Sequence, residues 1–356
     1  MSRNIYSEPR VYIGKKEITT FTSVSFSQKG NNKASQVTVS IMDPELDDSS
    51  LIGKDLIFYL NYGANDAVPF FRGIINSYNP SDKKITVTAL DVIGLLSGKS
   101  APKIILTDDS NYDGFTVGQM LHDYITTYIN ITSKANGNAD FNDLIGLDML
   151  NDTNPTYSLT GIRDSKGVTP IKLVQKALSK QIADDDLNDI RSTSLVVRYD
   201  GVKSNIAFVR EQSINDAGIK FSFNDGIEKI NYKKRPSPNF FTSVTKKGRM
   251  EYQHNTSTNL GVFAQELKGD FEYPDKAREQ AFIQATKAEN EKEITLQVSK
   301  GFYLEIGNVI NLQTPTHPDL TGKHRIKGKK LNISGNKIKC SLSLSKELPS
   351  VSDYLE

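Results

Sequence analysis

The sequence predicts a mainly β fold with an α+β insertion: two similar antiparallel β-barrels, each with a flanking helix, around a central α+β region. Two observations lead to this prediction. Apolar and polar residues alternate through both ends of the chain, whereas the middle mixes helical and strand periodicities. The alternating segments at the two ends follow one another in the same order, which is typical of an internal repeat. We therefore place the first barrel at 1–100, the inserted α+β region at 101–270, and a helix with the second barrel at 271–356.

The first barrel is expected to be a meander of short strands. It begins with a hairpin that turns at Gly14-Lys15. The segments Asp43-Pro44-Glu45 and Asn79-Pro80-Ser81-Asp82 carry the Pro, Asp and Asn residues that are common in turns. The apolar segment 91–96 is expected to form one helical turn on the barrel. The strands are predicted at 11–18, 24–26, 37–41, 56–60, 70–75 and 85–90.

The inserted region carries helix and hairpin signals. Thr116 and Gln119 have the spacing of a capping box, and Thr169-Pro170 is typical of an N-cap followed by a first-turn proline. Asp200-Gly201 between two apolar runs predicts a β-hairpin. Residues 130–167 are rich in Asn, Asp, Gly and Thr, which predicts a long exposed excursion with little regular structure.

A helix precedes the second barrel. Pro274 suits its first position, because the missing N–H of proline would have no partner there. Alanines fall on one side of this helix, and small side chains permit close approach, so we expect that side to pack on the barrel. The face consists of Ala277, Ala281, Ala285 and Ala288, with Phe282 beside them. Strands are predicted at 294–298, 309–312, 325–333 and 338–344, with a tight turn at Gly307.

The internal repeat rests on matched segments in the two barrels. Gly53 and Gly307 each open a frame of Gly-x-x-apolar-x-apolar. Any two meanders of short strands share part of such a pattern, so coincidence is the alternative interpretation. The other matches are Gly73 with Gly322; Ile85, Val87 and Ala89 with Ile338, Cys340 and Leu342; and Val37, Val39 and Ile41 with Ile294, Leu296 and Val298.

Composition indicates an ordinary soluble globular protein. The 356 residues suffice for two or three domains, and the net charge of +2 gives no general attraction to nucleic acid or membranes. The single cysteine, Cys340, excludes an internal disulfide, and its place in an alternating strand predicts a buried apolar group. No apolar run reaches the length of a membrane span, and the start of the chain lacks a signal-peptide core. Stable membrane insertion is therefore not expected, and synthesis in a cytoplasm is.

No catalytic residue, cofactor site or metal site is predicted. Gly-rich phosphate loops and nucleophile elbows do not occur in the sequence. The four histidines are His122, His254, His317 and His324, and none has further ligands at short spacing, so zinc binding is not favoured. Acidic clusters at 43–48 and 184–186 lack the rhythm of a calcium loop, and solvated surfaces are the preferred interpretation. A glycosidase pair would need one carboxyl group in a pKa-raising pocket, which sequence cannot reveal.

Basic groups allow three interpretations. A plain solvated face is preferred. The alternatives are a surface that faces DNA in a pore and a surface that contacts acidic clusters of a neighbouring subunit. The groups are Lys233-Lys234-Arg235, Lys246-Lys247 with Arg249, and Lys327 with Lys329-Lys330.

Two parts of the chain resemble phage baseplate hub proteins. This family includes the hub of T-even phages, the late control protein D of temperate contractile phages, and the hub half of type VI secretion spike proteins. Residues 70–75, a turn and then 85–91 are similar to the first barrel of that family. The alanine-faced helix with segments 294–298, 306–310, 322–326 and 339–344 is similar to its second barrel. The helices at Thr116 and Thr169-Pro170 occur where the family carries its inserted domain.

The resemblance implies a structural role in the virion and no enzymatic activity. Members of the family form homotrimers, in which two similar barrels per chain give a ring of six similar units. The implied partners are the tail tube or its initiator, a spike, other baseplate proteins, and DNA that passes transiently through the channel. An oligonucleotide-binding barrel, a C-terminal β-helix repeat and a lysozyme-like segment are not visible, so a fused spike is not expected.

Two alternatives to the hub remain open. One is another virion tail protein, such as a distal-tail, tube-like or fibre-attachment protein, for which rings of six subunits are expected. The other is a cell-wall hydrolase that uses Asp and Glu residues. Subunit number separates the first alternative from the hub, and carboxylate-dependent activity on peptidoglycan would identify the second.

Overall fold

The computed structural model confirms the mainly β fold class, with large antiparallel sheets. It describes residues 9–29, 34–42, 51–60, 69–97, 103–106, 112, 114–130, 134, 145–146, 159–162, 164–174, 176–177, 193–200, 203–210, 215–234, 238–254, 262–267, 271–290, 292–335 and 337–346. The acidic clusters at 43–48 and 184–186 and most of the predicted excursion at 130–167 lie outside these residues.

Strands dominate the described residues. They are β1 Arg10–Ile13, β2 Lys16–Ile18, β3 Phe21–Lys29, β4 Gln36–Ile41, β5 Asp55–Tyr59, β6 Phe71–Ser81, β7 Lys84–Leu90, β8 Ile104–Leu106, β9 Ile145–Gly146, β10 Asp164–Val168, β11 Thr193–Asp200, β12 Lys203–Arg210, β13 Asn215–Ser222, β14 Ile227–Lys234, β15 Phe240–Thr245, β16 Gly248–Gln253, β17 Ala264–Glu266, β18 Lys292–Val298, β19 Asn308–Gln313, β20 Gly322–Ser334 and β21 Lys337–Lys346. The helices with defined bounds are α1 Val92–Ser97, α2 Val117–Tyr124, which continues as a π-helical turn over Ile125–Ile129, and α3 Pro274–Asn290, besides a 3-10 turn over Pro318–Leu320. Residues 170–174 and 176–177 are helical too, where Thr169-Pro170 predicts a helix start.

The N-terminal strands form an antiparallel sheet in the order β2-β1-β5-β6-β7-β4-β3. Its apolar side chains point to one face, where Val11, Val37, Phe58 and Val87 are fully buried. The predicted hairpin at Gly14 is confirmed, and Gly14 has the positive φ of 58° that such a turn favours. The predicted turn at 79–82 is wrong at its start, because β6 continues to Ser81. Pro80 is tolerated in this strand because no described strand pairs with the outer edge of β6 at that position.

The C-terminal strands form a second antiparallel array in the order β14-β18-β21-β20-β19, and β13 adds to β19 in parallel. A bridge between Ser222 and Gly226 brings β13 back against the start of β14, so the array curls toward closure. β13 and β14 come from the stretch that sequence patterns assigned to the inserted region. The proposed boundaries at 100/101 and 270/271 stay predictions.

Five strands of the first barrel correspond in order to five strands of the second. The ladder β3-β4-β7-β6-β5 has the same pairing sequence as β14-β18-β21-β20-β19. Val39 lies opposite Val24 and Val87, as Leu296 lies opposite Ile230 and Leu342. Residues at the same ladder position are called equivalent below. The internal repeat is thus present in strand order and in register.

The irregularities repeat as well. The register shift between Ile75 and Ser77 in β6 recurs between Ile326 and Gly328 in β20. The shift between Phe21 and Ser23 in β3 recurs between Ile227 and Lys229 in β14. Bulges bend a strand and raise its local twist, so they give both barrels the same curvature.

Two of the matched segments need a correction of two residues. Ladder positions make Ile85, Val87 and Ala89 equivalent to Cys340, Leu342 and Leu344, and they make Gly73 equivalent to His324. The error has a simple cause, because a shift of two residues along a strand keeps every side chain on the same face. The match of Val37, Val39 and Ile41 with Ile294, Leu296 and Val298 is confirmed.

The middle region has its own core around α2. Thr116 Oγ1 accepts from the Gln119 N–H at 3.2 Å and Gln119 Oε1 accepts from the Thr116 N–H at 2.9 Å, so the predicted capping box is confirmed. β11 and β12 form the hairpin expected at Asp200-Gly201, and β9 adds to β12, while β8 pairs with β10. Helix α1 joins this core through Ile93 and Leu96.

The α1 turn is held to the first barrel by a buried carboxylate. Asp91 accepts hydrogen bonds from the Ser35 N–H at 2.7 Å and the Gly94 N–H at 3.2 Å. Complete burial raises the pKa of this carboxyl group to about 6, although the hydrogen bonds act in the opposite direction. Asp91 thus caps α1 and joins it to Ser35, the residue directly before β4.

The alanine face of α3 does not pack on the second barrel, contrary to the prediction. Ala277, Ala281 and Ala285 contact the three-stranded sheet β16-β15-β17, through Phe241 and Met250. The small side chains permit close helix–sheet approach, but the sheet they approach is β16-β15-β17 and not the barrel. The unit made of β15, β16, β17 and α3 therefore has a separate core.

The Gly307 turn is built as predicted. Gly307 has φ of 90° and Gly53, its equivalent, has φ of 87°. The Gly307 N–H donates to the Ile326 carbonyl at 2.9 Å, and the Gly53 N–H donates to the Ile75 carbonyl at 2.8 Å. Arg325, which is buried, adds a hydrogen bond from Nη1 to the Gly307 carbonyl at 2.9 Å. The same tight turn therefore starts β5 and β19.

Gly307→Val should destabilise the second barrel by about 1–3 kcal/mol, because a β-branched residue is strained at this φ. The measurement is chemical denaturation followed by circular dichroism. Gly328→Ala is the matched control, since Gly328 lacks a positive φ and an added Cβ would meet its nearest neighbour, the Gln28 carbonyl oxygen, at 3.4 Å. Equal stability of both variants would contradict the role of the turn.

Candidate functional site

The two barrels are joined edge to edge by β3 and β20. These strands pair antiparallel from Gly328 opposite Lys29 to Ser334 opposite Ser23. The pairing makes one continuous ladder of eight strands, in the order β14-β18-β21-β20-β3-β4-β7-β6. Four strands come from each barrel, and the apolar residues of both barrels merge into one core cluster beneath the ladder. We call this β3–β20 contact the barrel junction.

A buried lysine contacts both barrels at the barrel junction. Lys329 of β20 is only 6% exposed, and its Nζ donates to the Phe302 carbonyl at 3.2 Å and to the Leu304 carbonyl at 2.8 Å. The same Nζ lies 4.6 Å from the ring centroid of Phe70 and 5.6 Å from that of Phe26. The lysine thus connects a loop of the second barrel with aromatic rings of the first.

Burial lowers the pKa of the Lys329 ammonium from 10.5 to about 8, while Cys340 and Glu305 act in the opposite direction. The prediction that Lys329 belongs to a solvated basic face is wrong, because the side chain is buried. The sequence does contain a signal for burial, because Lys329 lies on the same face of the strand as the apolar Leu331 and Ile333. Lysine is seldom buried without a partner, so the charge outweighed the phase in the prediction.

Polar side chains strengthen the barrel junction on its other face. Ser25 Oγ donates to Asn332 Oδ1 at 2.8 Å, and the two residues are directly opposite in the ladder. On the core face, Gln28 Nε2 donates to the Val197 carbonyl at 3.3 Å, which ties the junction to the middle region. Both barrels and the middle region therefore meet at β3.

The face of the ladder opposite the core is polar and basic. Its middle is rich in hydroxyl groups, and Thr38 and Thr88 are within hydrogen-bond distance at 3.2 Å. Among the described residues that the ladder pairs on this face, Glu293 is the one acid, and it lies opposite Lys233. The lysines at these positions are Lys29, Lys84, Lys229, Lys233, Lys330, Lys337 and Lys339. The hydroxyl residues include Ser23, Ser25, Ser27, Ser40, Thr86, Thr295, Ser341 and Ser343. We call this surface the polar face.

The structure places the three basic groups predicted from the sequence in different locations. Lys233 and Lys330 lie on the polar face, and Arg235 lies outside the described residues. The group at 246–249 lies at the β15–β16 turn of the separate sheet β16-β15-β17, where Lys247 pairs with Glu272 at 3.6 Å and Arg249 with Glu251 at 3.1 Å. That group is an ordinary charged turn.

The histidines and the cysteine do not form a site. His324 is buried in β20 with Nε2 2.7 Å from the Leu320 carbonyl oxygen, and the His317 ring contacts Tyr232. His254 packs beside Phe282 of α3, and His122 is exposed on α2. Cys340 is buried as predicted, and burial raises its thiol pKa to about 11. Among the described residues, no group of three or more His, Cys, Asp or Glu side chains is arranged so that it could hold a metal ion.

One open depression lies near the β13–β14 turn. It has a volume of about 390 Å³ and is lined by Lys220, Asp225, Lys300 and neighbouring glycines and Ile219. Lys300 and Asp225 form an ion pair of 2.6 Å across it, so the charged groups there satisfy one another. In the part of the chain that the structure describes, no helix has the length and apolarity needed to cross a bilayer.

Solved structures of similar fold include tail proteins. A tail protein from Neisseria meningitidis MC58 aligns over 98% of this chain and 98% of its own, with 17% identity and a TM-score of 0.61. The 43 kDa tail protein of prophage MuSo2 from Shewanella oneidensis aligns over 96% and 98%, with 12% identity and a TM-score of 0.63. No protein-family model and no curated protein matches the sequence.

A secretion-system protein shares the fold too. The E. coli c3393 protein is described as a component of the type VI secretion system with structural similarity to tail proteins of bacteriophage T4. It aligns over 95% of this chain and 80% of its own, with 11% identity and a TM-score of 0.54. The chain therefore has a fold found in phage tail and type VI secretion proteins.

Lys329 gives the barrel junction a pH dependence that can be measured. The unfolded chain binds a proton on this lysine up to pH 10.5 and the folded chain up to about 8, so stability rises with pH across that window. Relative to Lys329→Met, the wild-type free energy of unfolding should gain up to about 3 kcal/mol between pH 7 and 11. Urea denaturation across this range measures it.

Lys330→Met is the control, because Lys330 is the next residue on the exposed polar face. This variant should keep the wild-type pH dependence. If the free energy of unfolding had the same pH dependence in the wild-type chain and in Lys329→Met, Lys329 would not be buried at the barrel junction in solution.

Proposed function

We propose that the protein is the structural hub of a phage tail baseplate or of a related contractile injection machine. In this role it is a homotrimer that joins a sixfold tail tube to a threefold spike, with other baseplate proteins around it. It is a virion component that is made in the host cytoplasm. Its work is mechanical, and it makes or breaks no covalent bond.

The observation that carries this proposal is the barrel junction between two equivalent barrels. Each chain supplies two copies of one ladder, placed edge to edge in one sheet. Three such chains around an axis present six similar barrels, which match sixfold symmetry on one side while the chain itself repeats only three times. A chain with one barrel would need six copies for the same ring.

The tail proteins of similar fold support this role. The structures from Neisseria and Shewanella share both ends and the middle of the chain, since each alignment covers nearly all of both proteins. The E. coli protein extends the similarity to an injection machine outside viruses. A place in the tail baseplate agrees with all three.

The polar face gives the proposed ring a suitable channel lining. The bulk of each barrel lies on the apolar side of the ladder, so closure of the ladder leaves the polar face toward the axis. Scattered lysines attract the phosphate backbone without a sequence preference, and the hydroxyl groups between them offer weak, exchangeable hydrogen bonds. Such a lining suits DNA that passes through and does not remain.

The native mass in solution tests the proposed assembly. We expect three copies of the chain by native mass spectrometry, and six similar densities around a central opening by negative-stain microscopy. A hexamer would favour a tube-like or distal-tail protein instead. A persistent monomer with carboxylate-dependent activity on peptidoglycan would favour a hydrolase and overturn the hub.

Charge reversal on the polar face tests the channel lining. Lys330→Glu with Lys339→Glu should leave the oligomer intact and lower the affinity of the ring for a short DNA duplex by roughly tenfold or more at low salt. Fluorescence anisotropy at several salt concentrations measures both the affinity and its salt dependence. The control is Lys276→Glu on α3, an exposed lysine away from the ladder. Equal losses in both variants would remove the polar face from the channel.

A further inference from the structure

The barrel junction is made from two edges that each have an equivalent elsewhere in the chain. β3 of the first barrel is equivalent to β14 of the second, and β20 of the second barrel is equivalent to β6 of the first. Within the described residues, β14 pairs along its length with β18 alone, and the segment 77–81 of β6 pairs with β7 alone. Among the described strands, the chain therefore pairs one pair of equivalent edges internally, and no strand ladder covers the other pair.

Exposure of one aromatic residue marks the open edge. Phe26 of β3 is 2% exposed, because β20 and the rings of Phe70 and Phe71 cover it. Its equivalent in β14, Tyr232, is 45% exposed. A large aromatic ring at the same ladder position is thus buried where the edge is paired, and it stays 45% exposed, with the His317 ring against it, where no described strand pairs.

The open edges are also complementary in polar chemistry. At the barrel junction Ser25 lies opposite Asn332 and hydrogen-bonds to it. The equivalent of Ser25 is Asn231, and the equivalent of Asn332 is Ser81. The serine and the asparagine are exchanged between the strands, so the same hydrogen bond can form in the reverse direction.

The next pair on the polar face is exchanged in the same way. At the barrel junction Ser27 lies opposite Lys330, and the equivalent residues are Lys233 and Asn79. One lysine therefore faces one small polar residue in both arrangements, and two lysines never lie opposite each other. Like charges directly opposite would disfavour pairing, and this arrangement avoids them.

Pro80 limits what can pair with this edge. It is equivalent to Leu331 and would lie opposite Tyr232. Proline has no N–H to donate, so the ladder lacks one hydrogen bond, and arbitrary strands gain less from docking there. A partner has to offset the missing bond with well-matched side chains, and Tyr232 provides a ring to pack on the proline.

We propose that β14 of one chain pairs antiparallel with residues 77–81 of β6 in a second copy of this chain, with Asn231 opposite Ser81. This inference rests on the proposed hub and specifies its subunit contact. The contact reproduces the barrel junction between molecules, so the ladder continues from chain to chain. Because the two edges differ, the contact is head-to-tail, and such contacts close into rings when the rotation per chain permits.

Paired cysteines test the register directly. In Ser81→Cys/Asn231→Cys, oxidation should link neighbouring chains into covalent dimers and trimers on a non-reducing gel. The matched control is Ser25→Cys/Asn332→Cys, whose disulfide should close within one chain and leave its mass unchanged. Asn79→Cys/Asn231→Cys is two residues out of register and should link chains at least about tenfold less, since disulfides need closely opposed Cβ atoms. All variants keep the buried Cys340.

A second test needs no oxidation. Tyr232→Glu should lower assembly at least about tenfold in subunit affinity, measured by analytical ultracentrifugation, because it places a charge at a buried contact. Phe223→Glu is the matched control, since Phe223 is also 45% exposed but lies in the turn before β14. Circular dichroism of both variants should match the wild-type spectrum, because both side chains are exposed in the single chain.

Each outcome assigns success or failure to one proposal. Covalent trimers from the in-register pair and weak assembly of Tyr232→Glu support the contact. A trimer by mass in which only the intrachain control closes overturns the contact and leaves the hub in place. A wild-type chain that stays monomeric at high concentration overturns the hub itself, and the intrachain control then shows that the fold is intact.

Discussion

Main-chain hydrogen bonding between β3 and β20 holds the architecture together. A strand edge with unpaired N–H and C=O groups must be paired, covered or blunted. This chain pairs one edge of each barrel with the other barrel, and the two apolar cores then merge beneath the ladder. The relative position of the barrels is set by a regular ladder and not by a flexible linker. Side chains such as Lys329 and Asn332 only refine an orientation that the backbone has already chosen.

The two barrels share five strands and differ in their outer strands. The five shared strands keep their bulges and their glycine turn, because these determine the curvature of the ladder. The outer strands differ: β1 and β2 form a hairpin on β5, whereas β13 runs parallel to β19. The shared part includes β3 and β20, the two strands through which the barrels pair.

Sequence patterns identified most strands and the repeat, because alternation reports directly which face of a strand is buried. These patterns cannot detect a shift of two residues in the strand register, because such a shift leaves every side chain on the same face of the sheet. Periodicity does not identify packing partners that are distant in sequence, and for this reason the prediction places α3 on the wrong sheet. Its alanine face indicates only that something packs closely. Lys329 was missed because its charge argued for solvent, while its phase argued correctly for the core.

The two long hairpins of the ladder differ in height. In the first barrel the last pair before the turn is Ser81 with Lys84, whereas β20 and β21 continue past the equivalent position to Ser334 with Lys337. Two extra residues add about 7 Å to the second hairpin. In the proposed ring of six barrels, long and short hairpins would alternate, so one rim would carry three evenly spaced projections. A threefold partner could find its rotational setting on that rim by shape alone.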